Sequence, residues 1–104
     1  MNGVMDRIKT ISKRLKKEYK AERVILFGSY AKGKATEDSD IDILIIAPTT
    51  ERFFERMATV KRLIRDLRNG LAVAPIVLTK QEVEERVKIG DQFVKEILEK
   101  GIEL

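Results

Sequence analysis

Residues 26–44 read Leu-Phe-Gly-Ser-Tyr-Ala-Lys-Gly-Lys-Ala-Thr-Glu-Asp-Ser-Asp-Ile-Asp-Ile-Leu, and the rest of the chain is best understood from this stretch. Residues 23–28 form an apolar run closed by Gly28, which predicts a buried strand. A loop of small, polar and charged residues follows. Residues 41–47 are rich in β-branched side chains and stop at Pro48, which predicts a second strand. Two strands joined by a polar loop are therefore expected at the centre of the chain.

Asp40 and Asp42 lie two residues apart where the second predicted strand begins, so their side chains point to the same face. Two neighbouring carboxylates repel each other unless something positive lies between them. Mg²⁺ prefers oxygen ligands and commonly combines one or two carboxylates with phosphate oxygens and water. An isolated pair of this kind is more often simply solvated, so the aspartates alone do not establish a metal site.

Gly28 and Ser29 directly follow the first predicted strand. Glycine lets the backbone turn sharply and lets a ligand approach without a Cβ clash. Ser29 is expected to cap a short helix over residues 30–33, with N–H groups and its hydroxyl facing a phosphate. Neither motif is specific alone. The joint pattern, Gly-Ser, ten residues, then Asp-x-Asp between apolar strands, predicts phosphate-binding and metal-binding groups at one sheet edge.

The remaining elements alternate around these two strands. Apolar residues at helical spacing predict helices over residues 4–20, from Thr49 or Thr50 to about Asn69, from Thr79 to Gly90, and up to Gly101. Residues 71–78 predict a third strand, in which Pro75 argues for an edge position or a bulge. The prediction is an α+β fold: a small mixed three-stranded sheet covered by helices, in the order α-β-β-α-β-α-α, as one domain over residues 1–104.

Composition narrows the chemistry that this chain of 104 residues can perform. It has no cysteine and no histidine, which excludes disulfide scaffolds, cysteine nucleophiles, histidine bases and the usual zinc ligands. No apolar run approaches the roughly 20 residues of a membrane helix. Nothing in the sequence resembles a signal peptide, so we expect a soluble cytoplasmic protein without a membrane partner. The reactive groups must be carboxylates, hydroxyls, lysines, arginines and a bound metal ion.

The net charge of +4 comes from an excess of basic residues in residues 1–23. That segment holds three acidic side chains and eight basic ones. The basic residues are Arg7, Lys9, Lys13, Arg14, Lys16, Lys17, Lys20 and Arg23. Such an excess is typical of the solvated side of an amphipathic helix. It is also compatible with a face that binds nucleic acid, and the sequence leaves both interpretations open.

Gly28-Ser29, ten intervening residues and Asp40-Ile41-Asp42 resemble the signature of the DNA polymerase β-like nucleotidyltransferase superfamily. The short length and the run Phe-Gly-Ser-Tyr-Ala-Lys-Gly resemble its minimal nucleotidyltransferase branch. In bacteria and archaea that branch is often paired with a helical HEPN-domain protein as a toxin–antitoxin system. The resemblance implies a nucleotidyltransferase fold, a prokaryotic cytoplasmic protein and a HEPN-domain partner.

The resemblance also implies roles for individual residues. Gly28 and Ser29 would hold the β- and γ-phosphates of ATP, and Lys32 would contact phosphate. Asp40 and Asp42 would be the catalytic residues and would bind Mg²⁺. The implied reaction transfers AMP to a hydroxyl on a partner protein, the HEPN toxin, and releases pyrophosphate.

One position departs from the family pattern. Relatives place a third carboxylate on the strand after the long helix, and alignment on Thr79-Lys80-Gln81-Glu82 puts Ala74 there. Residues 71–78 contain no acid, and none of Glu37, Asp38 and Asp66 is an obvious substitute. Two interpretations follow: an enzyme that works with two carboxylates, or a nucleotide-binding module with little or no activity that acts by docking on its partner.

A homo-oligomeric scaffold is a third interpretation. Phe53, Phe54 and Ile102 could lie on a dimer surface, although burial in the core would explain them equally well.

Overall fold

The computed structural model describes residues 3–104, which form ten helices and strands around a single sheet. In chain order they are α1 (Gly3–Glu18), β1 (Arg23–Phe27), α2 (Gly28–Ala31), β2 (Ile41–Ile46), α3 (Phe53–Leu63), α4 (Arg65–Arg68), β3 (Val73–Leu78), α5 (Lys80–Lys88), α6 (Gln92–Lys100) and β4 (Ile102–Glu103). Among residues 3–104, none of the helices combines the length and the hydrophobicity that a membrane-spanning segment requires.

The sheet has four strands in the order β3-β2-β1-β4. It is mixed, as predicted: β1 runs antiparallel to β2 and β4, and β2 runs parallel to β3. The predicted count of three strands is wrong, because Ile102 and Glu103 pair with Leu26 and Ile25 to add β4. A strand of two residues is too short to show an alternating pattern, so only its pairing with β1 reveals it.

Alternate residues of each strand face opposite sides of the sheet and build two core clusters. One cluster lies under α1, α3 and α4, and it includes Ile8, Ile11, Leu15, Val24, Leu26, Ile43, Val60 and Ile64. The other lies under α5 and α6, and it includes Ile25, Leu44, Ile46, Leu78, Val83, Val94 and Ile97. The central strands are buried on both faces, which explains why their sequences are almost continuously apolar.

The helix predicted to start at Thr49 or Thr50 begins at Phe53, with Arg52 as its N-cap. The hydroxyl of Thr49 instead accepts a hydrogen bond from the N–H of Glu51, two residues along, at 3.1 Å. Because the Thr49 hydroxyl is engaged in this local turn, it does not cap the helix, and the helix begins further along the chain. The prediction of the cap was wrong for that reason.

The same predicted helix is divided at Ile64, where φ is −108° and ψ is 7°, into α3 and α4. Its predicted end is confirmed, because Asn69 takes a left-handed conformation with φ of 47° and Gly70 follows with φ of 87°.

Several other boundaries follow the sequence prediction. The Thr79 hydroxyl accepts from the N–H of Glu82, and the Glu82 carboxylate accepts from the N–H of Thr79, which completes the capping box of α5. Asp91 caps α6, and Gly101 ends it. β3 is an edge strand, which is the position that Pro75 favours.

Candidate active site

A cleft of about 920 Å³ opens where β1 ends and where β2 and β3 begin. Four of the five residues predicted to form the site line this cleft: Gly28, Lys32, Asp40 and Asp42. The cleft size falls within the range of pockets that hold small-molecule ligands. The Gly-Ser and Asp-x-Asp motifs, which lie on either side of the polar loop, therefore meet at one end of the sheet.

The floor of the cleft is a row of three residues from neighbouring strands. Phe27 of β1 is paired with Asp42 of β2 in antiparallel register, and Asp42 is paired with Ala74 of β3 in parallel register. Directly paired residues present their side chains on the same face of a sheet. Asp42 therefore projects into the cleft between a phenyl ring and a methyl group.

Gly28 brings the backbone directly against Asp42. Its φ of +73° lies in the region that favours glycine, and a Cβ at this position would collide with Oδ2 of Asp42. Only glycine satisfies both conditions, so the turn between β1 and α2 depends on this residue. The Gly28 backbone and the Asp42 carboxylate are therefore packed directly against each other in the cleft.

Ser29 does not cap a short helix, and this part of the prediction was wrong. The helix is α2, which starts at Gly28 with Phe27 as its N-cap, so Ser29 lies inside the first turn. The carbonyl oxygen of Ser29 accepts a hydrogen bond from the N–H of Lys34 at 2.9 Å. Of the described residues 3–104, those that line the cleft do not include Ser29. The chain turns sharply at Gly28, where φ is positive, and Phe27 takes the N-cap position in place of Ser29.

Asp42 carries a charge in an unfavourable environment. Its partial burial, and secondarily the negative charge of nearby Asp40, raise the pKa of the Asp42 carboxyl above its ordinary value. Asp40 is exposed at the start of β2. A cation between the two carboxylates would remove both penalties, which is the arrangement expected of a pair that holds a metal ion.

Comparison with known proteins identifies the family. The family model described as "Nucleotidyltransferase domain" matches residues 8–104. The chain belongs to the nucleotidyltransferase-domain family. The match includes every residue of the cleft described above.

Two relatives of this nucleotidyltransferase-domain chain come from Methanocaldococcus jannaschii, and each bears the name "putative protein adenylyltransferase". One is 35% identical over 86 residues, covering 82% of this chain and 80% of the relative. The other is 35% identical over 96 residues and covers 90% of each chain.

A solved structure from Sulfolobus solfataricus, titled as a "putative nucleotidyltransferase", has a similar fold, with a TM-score of 0.53 and 30% sequence identity. The similarity covers 82% of this chain and 80% of that one.

Ala74 occupies the place where the family resemblance leads one to expect a third carboxylate. Its pairing with Asp42 supports the sequence alignment, because a carboxylate there would stand beside the aspartate. Within residues 3–104, no group of three or more acidic side chains could together hold a metal ion. Asp66 is not a substitute, since Arg14 binds its carboxylate at 3.0 and 3.2 Å.

Three basic residues that line this cleft could not be predicted from the sequence. Lys61 of α3, Arg68 of α4 and Lys100 of α6 line it together with Lys32. The Nε atom of Arg68 is buried and has no hydrogen-bond partner among the described residues. These cations lie on three separate helices, and only the packing of the helices around the sheet brings them to one place.

The donor set suits a metal-bound polyphosphate. Asp40 and Asp42 supply carboxylate oxygens, the Gly28 backbone lies directly beside Asp42, and Lys32 and Arg68 supply cationic N–H groups. Two protein carboxylates leave further positions of Mg²⁺ to phosphate oxygens and water, as is common for this ion.

Proposed function

We propose that this nucleotidyltransferase-domain chain binds Mg²⁺ and ATP in the cleft and transfers AMP to a hydroxyl group on a partner protein. The observation that carries the proposal is the approach of the Gly28 backbone to the Asp42 carboxylate. This contact supports the proposal, because it brings the turn that we assign to phosphate next to the side chain that we assign to the metal ion.

In the proposed reaction, the acceptor oxygen bonds to the α-phosphorus while the bond to the β-phosphate bridging oxygen breaks. Pyrophosphate leaves, and the proton of the acceptor hydroxyl passes to water. Gly28 and Lys32 hold the terminal phosphates, and Asp40 and Asp42 hold the metal ion. When bound, Mg²⁺ supplies stabilisation of the negative charge that develops during transfer. Positioning and charge stabilisation contribute more to such a reaction than a strong base does.

The names of the M. jannaschii relatives support a protein acceptor and an adenylyl group for this chain. The partner we propose is a HEPN-domain protein, with this chain as its antitoxin. That part of the proposal rests on the short length and on the resemblance of residues 27–33 to the minimal nucleotidyltransferase branch.

A second candidate function is favoured by Ala74. With an alanine beside Asp42, the cleft would keep its nucleotide-binding groups but transfer AMP slowly or not at all. The protein would then act by docking on its partner and covering the partner's functional surface.

Binding is tested by calorimetric titration of the protein with ATP in the presence and absence of Mg²⁺. We expect Mg²⁺-dependent binding that Asp42→Asn abolishes, because the neutral amide no longer attracts the metal ion. Stability should be unchanged or higher in this variant, because the repulsion from Asp40 is removed. Asp38→Asn, an exposed loop substitution, is the matched control and should bind like the parent. Undiminished Mg²⁺-dependent binding by Asp42→Asn would reject the metal-site assignment.

Transfer is tested by incubating the protein and the product of its neighbouring gene with Mg²⁺ and ATP, then measuring both intact masses. A gain of one AMP on the partner with the parent protein supports the enzyme with two carboxylates. A gain only with Ala74→Asp supports the docking function. No gain with either protein contradicts AMP transfer to this partner.

A further inference from the structure

Phe93 is an exposed aromatic residue on the cleft wall formed by α6. Its side chain lines the cleft, yet 55% of the residue surface is accessible. The neighbouring apolar residues of α6 that face the sheet, Val94 and Ile97, are 3% and 4% accessible. They already fill the core beneath the helix, so core packing does not explain a phenylalanine at this position.

Phe27 holds the Phe93 ring from one side. The two ring centroids are 5.6 Å apart and the planes are at 84°, an edge-to-face arrangement. Whichever ring presents its edge, at least one face of Phe93 is left uncovered by Phe27. The ring thus packs against an aromatic neighbour while it offers a flat apolar surface to the cleft.

The position of this surface relative to the carboxylates can be followed through Phe27. Phe27 contacts Phe93 and is also the register partner of Asp42 on the cleft floor. Paired Cα atoms in antiparallel strands lie about 5 Å apart, so the Phe93 ring is on the order of 10 Å from Asp42. A nucleoside triphosphate separates its base from its terminal phosphates by a comparable distance.

We propose, on the basis of the function proposed above, that Phe93 is the surface on which the nucleobase stacks. The base would lie on the free face of the Phe93 ring while the triphosphate extends to Gly28, Asp40 and Asp42. Stacking uses the π-face that every base has, and the larger ring system of a purine gains more contact than a pyrimidine. Phe93 is thereby a binding residue for the base end of the ligand.

The test compares ATP with inorganic tripolyphosphate, which has the phosphates but no base. Both are titrated calorimetrically, with Mg²⁺, into the parent protein, Phe93→Ala and Phe54→Ala. We expect Phe93→Ala to weaken ATP binding about tenfold while leaving the affinity for tripolyphosphate unchanged. Phe54 is the matched control, because it is 82% accessible and lies outside the cleft lining.

The outcomes separate this inference from the proposed function. If Phe93→Ala weakens both ligands equally, or neither, the stacking role is overturned while the phosphate site stands. If the parent protein binds neither ligand, the proposed function fails, and the stacking role fails with it.

A second variant gives a direct optical readout, because the chain contains no tryptophan. In Phe93→Trp, the indole retains an aromatic face and becomes the only tryptophan fluorophore. Stacking of a base should quench its emission on addition of Mg²⁺ and ATP, and tripolyphosphate should not. Equal emission changes with both ligands would overturn the proposal.

Discussion

At the scale of single residues, a position can require glycine because of its positive φ or because a neighbouring atom leaves no space for a Cβ. Gly28 and Gly33 allow these two causes to be compared. Their φ angles are nearly equal, +73° and +70°, so a side chain strains the backbone similarly at both. Their surroundings differ. A Cβ at Gly28 would collide with the Asp42 carboxylate, whereas a Cβ at Gly33 would have nothing within 4 Å.

We therefore predict that Gly28→Ala lowers the free energy of unfolding by about 2–3 kcal/mol and Gly33→Ala by about 1 kcal/mol. Gly28→Ala should also lose Mg²⁺-dependent ATP binding, because Asp42 must move away from its position. Urea denaturation and calorimetric titration of both variants measure these effects. Equal losses of stability with ATP binding retained in both would show that the Gly28–Asp42 contact is not required.

The site residues differ in how far the sequence reveals them. Gly28, Asp40 and Asp42 could be predicted because they lie in one short stretch whose spacing reflects two adjacent strands. Phe93 and Arg68 could not, because each lies on a helix whose orientation depends on the complete core. Ser29 was misplaced because the backbone turn at Gly28, and not a side-chain cap, starts α2.

At the scale of elements, Arg56 connects α3 to β3 and α5. It is 7% accessible, and its guanidinium donates to the carbonyl oxygen of Val77 at 3.1 Å. It also forms a paired contact with the Glu82 carboxylate at 2.7 and 3.1 Å. Glu82 in turn accepts from the N–H of Thr79 at the start of α5. One arginine thus ties a helix, an edge strand and a helix cap together.

This connection predicts a pH dependence of stability. The hydrogen bonds from Arg56 hold the pKa of Glu82 below its ordinary value, against the opposing effect of burial. A carboxyl whose pKa is lowered by folding stabilises the protein above its unfolded pKa of about 4.3. The contribution is lost as the pH falls through the lower folded pKa.

We expect Glu82→Gln to reduce stability by about 1 kcal/mol at neutral pH, a modest value because the Glu82 side chain is 36% exposed and solvent screens the pair. The difference from the parent should shrink as the pH is lowered below about 4. Urea denaturation at several pH values measures this difference. Glu84→Gln on the exposed side of α5 is the control, and a loss as large as that of Glu82→Gln would contradict the role of Arg56.

Element boundaries were predictable where the determinants are local. The boundaries at Asn69, Thr79, Asp91 and Gly101 follow from residues within a few positions of the helix end. β4 was missed because its existence depends on pairing with β1, far away in sequence.

At the scale of the whole molecule, part of the basic excess in residues 1–23 is used inside the fold. Arg14 binds Asp66 and Glu18, Arg23 binds Glu103, and Lys16 donates to the backbone oxygen of Leu104. The charge left to face a polyanion is smaller than the sequence suggests. Binding of nucleic acid by this face stays a prediction.

The last three residues, Ile102 to Leu104, extend the sheet beside β1, so their removal should lower the stability of the fold. Ile102 and Glu103 pair with β1, and the N–H of Leu104 donates to the carbonyl oxygen of Val24 at 2.9 Å. Ending the chain after Gly101 should cost on the order of 2–3 kcal/mol, since each backbone hydrogen bond contributes about 1 kcal/mol.

Thermal unfolding of this shortened chain should show a lower Tm than that of the parent. Arg23→Gln, which removes only the ion pair with Glu103, is the control and should have a smaller effect. An unchanged Tm on shortening would show that β4 adds nothing to the sheet.

Because Ala74 is paired with Asp42, the codon at position 74 determines whether a third carboxylate stands beside this aspartate. A single change at the second base converts every alanine codon into an aspartate or a glutamate codon, so one point mutation would introduce a carboxylate beside Asp42. The position lies on an edge strand and lines an open cleft, so the new side chain would not have to displace the core. A lineage carrying this gene can therefore gain or lose the third acid in one mutational step.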